Sequence, residues 1–143
     1  MVPEINIWAV LLATASSMAV GAIWYSRRVF GAYWMKAVGH DEESIRAGGS
    51  TAPLVVTVVV SFITAWVLAG AVAIAQAFYG GSFLANSLLT ALILWAGFTA
   101  ARMITHDAFD RRPAGLTMLN IAHELVTLLL MGLIIGLFGI STP

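Results

Sequence analysis

The chain has 143 residues, 60% of them hydrophobic and 10% charged, with no formal net charge and no cysteine. Its mean hydropathy of +0.93 lies outside the range of a soluble domain, and the balanced charge excludes a strongly charged partner such as nucleic acid held by field alone. The missing thiols exclude disulfides and thiolate chemistry, so a metal would need His and carboxylate ligands.

From the N-terminus, residues 5–25 form a first apolar run. Ala13-Thr14-Ala15 resembles a signal-cleavage site, but the stretch before Trp8 carries only Glu4 and the run continues to Tyr25, so a retained first span is expected. Crossing about 30 Å of hydrocarbon takes roughly 20 helical residues. Residues 53–79, 83–105 and 114–140 supply three further spans. The sequence therefore predicts an all-α, four-helix membrane bundle as one domain, residues 1–143. Ser50 and Thr51 before Pro53 predict one helix start, and Asp110 to Pro113 another, with Asp110 or Arg112 as caps.

All seven Lys and Arg residues lie between Arg27 and Arg46 or between Arg102 and Arg112. By the positive-inside rule, loops 26–52 and 106–113 are cytoplasmic, and both termini and the Gly80-Gly81-Ser82 turn face away, in a plasma or inner membrane. In the first loop, Phe30, Tyr33, Trp34 and Val38 recur at helical spacing. Together with Trp24 and Tyr25, they predict a short interfacial helix and an aromatic anchor at the membrane surface. Asp41 to Arg46 reads as a short capped turn before a Gly48-Gly49 linker.

Spans two and three carry Trp66 and Trp95, equidistant from the Gly80-Gly81 turn and hence at equal depth on antiparallel helices. An aromatic pair is expected there, by plain packing or as the wall of a pocket for an apolar cation. Span four holds the densest polar signal: Thr117, Asn120, His123, Glu124 and Thr127 form one stripe on an apolar helix. Ionisable groups at membrane depth face the bundle interior or a cavity, because lipid solvates neither. Counting back through an antiparallel hairpin puts Phe98 and Thr99 level with His123, and Arg102 about 5 to 8 Å nearer the cytoplasm. The expectation is an Arg102 to Glu124 pair, with Asn120 or Thr99 taking spare hydrogen bonds. Without that partner, Glu124 beside His123 is a candidate proton-carrying pair. His106 falls about 12 Å from that level, so no metal site is expected. Ala9, Ala13, Ser17 and Gly21, and Gly132, Gly136 and Gly139, form small-residue ridges for close helix approach, within one bundle or in a homo-oligomer.

Gly21-Ala-Ile-Trp24-Tyr25-Ser26, Phe30-Gly31, Trp34-Met35 and Gly39, then His106, Phe109-Asp110-Arg111-Arg112-Pro113, His123 and Met131-Gly132, cover nearly the whole chain. In these residues it resembles the small four-span bacterial integral-membrane family catalogued as domain of unknown function seventeen sixty-one. The resemblance implies a membrane protein without an established activity. The family motif often has Pro after Trp-Tyr-Ser where this chain has Arg27, which removes the usual cause of a bend there.

Three function classes follow. A structural or interaction subunit of the lipid bilayer is favoured by the ridges and the lack of a catalytic motif. A small proton-coupled transporter would use Glu124 and His123, with Trp66 and Trp95 along the path. An enzyme is the weakest reading, since no nucleophile with a base, phosphate loop or paired-histidine spacing appears, and no cofactor is implied.

Overall fold

In the computed structural model, which describes residues 4–48 and 51–139 with the backbone alone at Glu42 and Arg46, helix α1 (Ile7–Trp24) starts from Asn6. The Asn6 side-chain oxygen accepts from the Trp8 and Ala9 N–H groups at 3.0 and 3.3 Å, satisfying two donors that a helix start leaves open. Ala9, Ala13 and Ser17 are buried on one face, so the small ridge lets α1 approach both α4 (Thr51–Tyr79) and α7 (Ala114–Phe138).

After α1 the chain bends without a proline. The Phe30 N–H reaches back to the Trp24 carbonyl at 3.1 Å and the Gly31 N–H to that of Ser26 at 2.8 Å. A Cβ at Gly31 would collide with the Tyr25 carbonyl, so glycine permits the closure that proline was expected to make. Helix α2 (Gly31–Val38) follows and ends on Gly39 at φ 75°. Helix α3 (Glu42–Ala47) is closed by a reciprocal cap: Asp41 accepts from the Ser44 N–H at 2.8 Å, and the Ser44 hydroxyl receives the Asp41 N–H at 3.1 Å. The expected cap at Ser50, the linker residue Gly49 and the span end at Ile140 lie outside the described residues.

The third span is α5 (Phe83–Leu94), one π-helical turn (Trp95–Ala100) and α6 (Ala101–Phe109). The wide turn was not foreseen; its sequence, Trp-Ala-Gly-Phe-Thr-Ala, carries no breaker stronger than Gly97. It coincides with the Trp95 indole N–H donating to the Ile121 carbonyl of α7 at 2.9 Å. At the Gly80-Gly81 turn both glycines have positive φ, 64° and 74°, and Asn86 ties the turn to Gln76 at 2.6 Å. The fourth helix opens after Pro113 without a side-chain cap; Asp110 and Arg112 form a 3.7 Å contact with each other instead.

Four helices are long and apolar enough to cross a membrane: Ile7–Trp24, Thr51–Tyr79, Phe83–Phe109 and Ala114–Phe138. The protein is thus an all-helical, membrane-spanning bundle. Its core joins Val10 and Ala13 of α1, Ala65, Leu68 and Val72 of α4, Ala91 of α5, and Leu128, Met131 and Ile135 of α7. All of these lie toward the end that carries the Gly80-Gly81 turn. Here α7 meets α5 through glycine: a Cβ on Gly132 would sit 3.0 Å from that of Ala91, and one on Gly136 2.7 Å from Leu84. The Ser87 hydroxyl donates to the Gly132 carbonyl, so the close approach also carries a hydrogen bond. Both ridges are therefore engaged inside the bundle.

Candidate functional site

The other end of the bundle is open. Every residue of α4 from Thr51 to Val60 is exposed; Phe62 is the first to pack against the core and Ala65 the first to be buried. Between its free half and α1 and α7 lies a cleft of two lobes, each of about 790 Å³. The deeper lobe runs from Ser17 and Gly21 of α1 to Thr57 and Ser61 of α4 and Thr127 of α7. The outer lobe is walled by Tyr25, Trp34, Met35 and Leu54, with Arg27 on its lining. Glu124 and Tyr25 border both.

His123 and Glu124 sit where the lobes meet. The His123 Nδ1 is 3.3 Å from a Glu124 carboxylate oxygen, and the two side chains are 13% and 38% exposed, so the imidazole is the inner member and the carboxylate faces the cleft. The His123 ring lies near Trp24 (5.9 Å between centroids) and Tyr25 (5.0 Å). The ring packs over Gly21, where a Cβ would stand at an ordinary contact distance of 3.7 Å from Nε2. That nitrogen is buried without a hydrogen-bond partner among the described residues, as are the Thr127 hydroxyl and the Trp24 indole nitrogen. The Tyr25 hydroxyl donates to the Asn120 side-chain oxygen at 3.0 Å, binding the end of α1 to α7. Deeper in, Ser17 and Ser61 join α1 to α4 through a 2.8 Å hydroxyl contact.

Most of the polar stripe expected on span four therefore gathers around one cavity, but with different partners. Thr117 turns away and donates to Asp107 at 2.7 Å, at the hairpin end where Arg112 also meets Asp107 at 3.7 Å. The anticipated Arg102 to Glu124 pair is not made among the described residues. Arg102 is exposed, whereas α7 directs Asn120, His123 and Glu124 toward α1 and the cleft. Thr99 lies half-buried in the π turn and makes no hydrogen bond to Glu124. Hairpin counting gave a depth but not a direction around the helix axis.

The same limit separates Trp66 from Trp95. Trp95 bonds α7 and packs on the core, while Trp66 is 44% exposed and lies 5.9 Å from Phe62 on its own helix. Because α4 buries Ala65, Leu68, Ala69 and Val72, its helical period turns Trp66 outward. The aromatic anchor also divides. Tyr33 stays half exposed, with its hydroxyl against Gly115, and Phe30 is 39% exposed. Trp24, Tyr25 and Trp34 turn inward as a linked set: Trp24 on Phe30 at 4.8 Å, and Tyr25 on Trp34 at 5.7 Å. Sequence reasoning assigned these rings to the membrane surface and missed the part of Tyr25 and Trp34 in the cavity wall and of Trp24 against His123. The adjacent run Gly21 to Tyr25 was the available signal.

No curated protein and no solved structure matches the chain. A family model does match, over residues 8–136, nearly all of the membrane-spanning bundle described above, and the chain belongs to the family described as "Protein of unknown function (DUF1761)".

Proposed function

We propose that this protein is a small membrane carrier in which the His123–Glu124 pair exchanges a proton against a solute held in the cleft. The observation that carries this reading is a cleft bordered by a protonatable pair, with the buried and unpartnered His123 Nε2 and Thr127 hydroxyl on residues that line its deeper lobe. A bundle whose stripe merely orients helices would close over those atoms. The subunit reading draws on the small-residue ridges and the lack of a catalytic motif; of the ridges, Ala9, Ala13, Ser17, Gly132 and Gly136 pack within the bundle and so do not call for a neighbour. The hydroxyls on the free half of α4 need no partner either: Thr57 and Thr64 donate to the Pro53 and Val60 carbonyls of their own helix at 2.8 and 2.9 Å. On the charge rule the open end faces the cytoplasm, in an inner membrane, with both termini outside.

Proteoliposomes holding a pH-sensitive dye test the proposal. The wild type is expected to move protons when one of a panel of amines, amino acids or lipophilic ions is applied, and Glu124→Gln, folded and assembled as the wild type, to move none. A Glu124→Gln protein changed only in assembly, or a folded wild type inert to the whole panel, overturns the carrier reading in favour of a subunit.

A further inference from the structure

Granting that the cleft is a solute site, we infer that its outer lobe takes a monovalent, hydrophobic organic cation, which competes with the proton for Glu124. The volume, about 790 Å³, is that of a site for a drug-sized molecule, far beyond the needs of a bare ion. A metal ion would find one carboxylate and one imidazole there, too few to replace its hydration shell. The walls are apolar and aromatic, so an occupant must have apolar surface to bury.

Charge and ring geometry then set the sign. Among the described residues Glu124 is the acid bordering the lobe; Asp107 and Asp110 are held by Thr117 and Arg112 at the hairpin, and Asp41 caps α3. Tyr25 and Trp34 meet edge to face, 5.7 Å apart at 66°, making a corner whose faces carry the negative part of the ring quadrupole. The bond from the Tyr25 hydroxyl to Asn120 holds that corner in place. A carboxylate beside two ring faces attracts a diffuse positive charge and repels an anion of the same shape. A single carboxylate suits one positive charge rather than two.

Competition with the proton follows from position. Among the described residues, the titratable or charged groups around Glu124 are His123 on α7, Tyr25 after α1 and Arg27 in the following bend; α2, α3, α4 and α6 line the lobe with Trp34, Met35, Ile45, Leu54 and Met103, which do not titrate. A cation arriving at the carboxylate displaces the proton that the His123–Glu124 pair holds, and that proton leaves to water. Affinity therefore rises with pH.

Tetraphenylphosphonium and tetraphenylborate, near-identical in shape and opposite in charge, are the probes. Each is titrated into the full chain in phosphatidylcholine nanodiscs, with empty nanodiscs for lipid partitioning. Saturable phosphonium binding is expected, weaker in acid than in neutral buffer, with about tenfold loss in Glu124→Gln and several-fold loss in Trp34→Ala, and with Trp34→Phe close to wild type. Equal borate binding, or wild-type phosphonium binding in both Glu124→Gln and Trp34→Ala, overturns the inference. Saturable cation binding without proton movement in liposomes retains the cation site and removes the carrier. Proton flux with another solute, and no phosphonium binding, does the reverse.

Discussion

The two ends of the bundle use the same helices to opposite effect. Toward the Gly80-Gly81 turn, α1, α4, α5 and α7 meet through Ala9, Ala13, Ala69, Ala91 and Gly132, and the space that remains is a smaller pocket of about 360 Å³ between α4 and α5. Toward the basic loops, α1 and α7 carry Ser17, Tyr25, Asn120, His123 and Glu124, and α4 stands off from them. In lipid the apolar effect does not press helices together, so contact is decided by how closely backbones can approach and by polar groups that find each other. Small residues close one end; large and ionisable ones hold the other apart.

The sharpest way to break this contrast is to spoil the closed end. Gly136→Val places side-chain atoms where Leu84 and Ser87 already stand, and a loss of about 2 to 3 kcal/mol is expected by overpacking. Reversible unfolding in mixed micelles measures it, with Gly97→Ala as control because nothing lies within 4 Å of a Cβ there. Equal stability of the two variants would mean that α5 and α7 do not meet at Gly136. A smaller effect is expected from Trp95→Phe, which removes the bond to Ile121 at the level of the π turn. About 0.6 to 1.7 kcal/mol is the range for such a bond in a membrane, and a variant as stable as wild type would deny the indole a structural part. Smallest is the acid response of α3, at the open end. Bonds from the Ser44 N–H and hydroxyl hold the Asp41 carboxyl below its ordinary value of 3.8. The folded state thus favours the anion: the cap contributes above pH 3.8 and fades as pH falls through the lowered value. An NMR titration of the Asp41 carboxyl and Ser44 amide checks this; a midpoint at or above 3.8 counts against the cap.

Much of this architecture was legible because bilayer thickness acts on length and composition alone. The four spans, the turn at Gly80 and the capped helix after Asp41 follow from local chemistry, and the ridges on α1 and α7 from a four-residue repeat. The inward gathering of His123, Glu124 and Asn120 was legible too, since charge avoids lipid. Direction around a helix axis was not. Trp66 and Trp95 share a depth but not a face, and Arg102 lies beside the right level on the wrong side. A whole-helix packing pattern decides such angles, and for the third span a π turn alters it midway. The bond from Tyr25 to Asn120 joins residues 95 positions apart, a relation that no local spacing encodes.

The way α4 is fastened has a mechanical consequence. From Leu54 to Thr64 it contains neither proline nor glycine, so about 16 Å of stiff rod projects from the clamp that begins at Ala65. Tilting that rod by about 10° swings its tip by roughly 3 Å while the clamp itself hardly shifts. On the carrier reading proposed above, leverage of this kind turns a small displacement near the fulcrum into a larger stroke at the mouth.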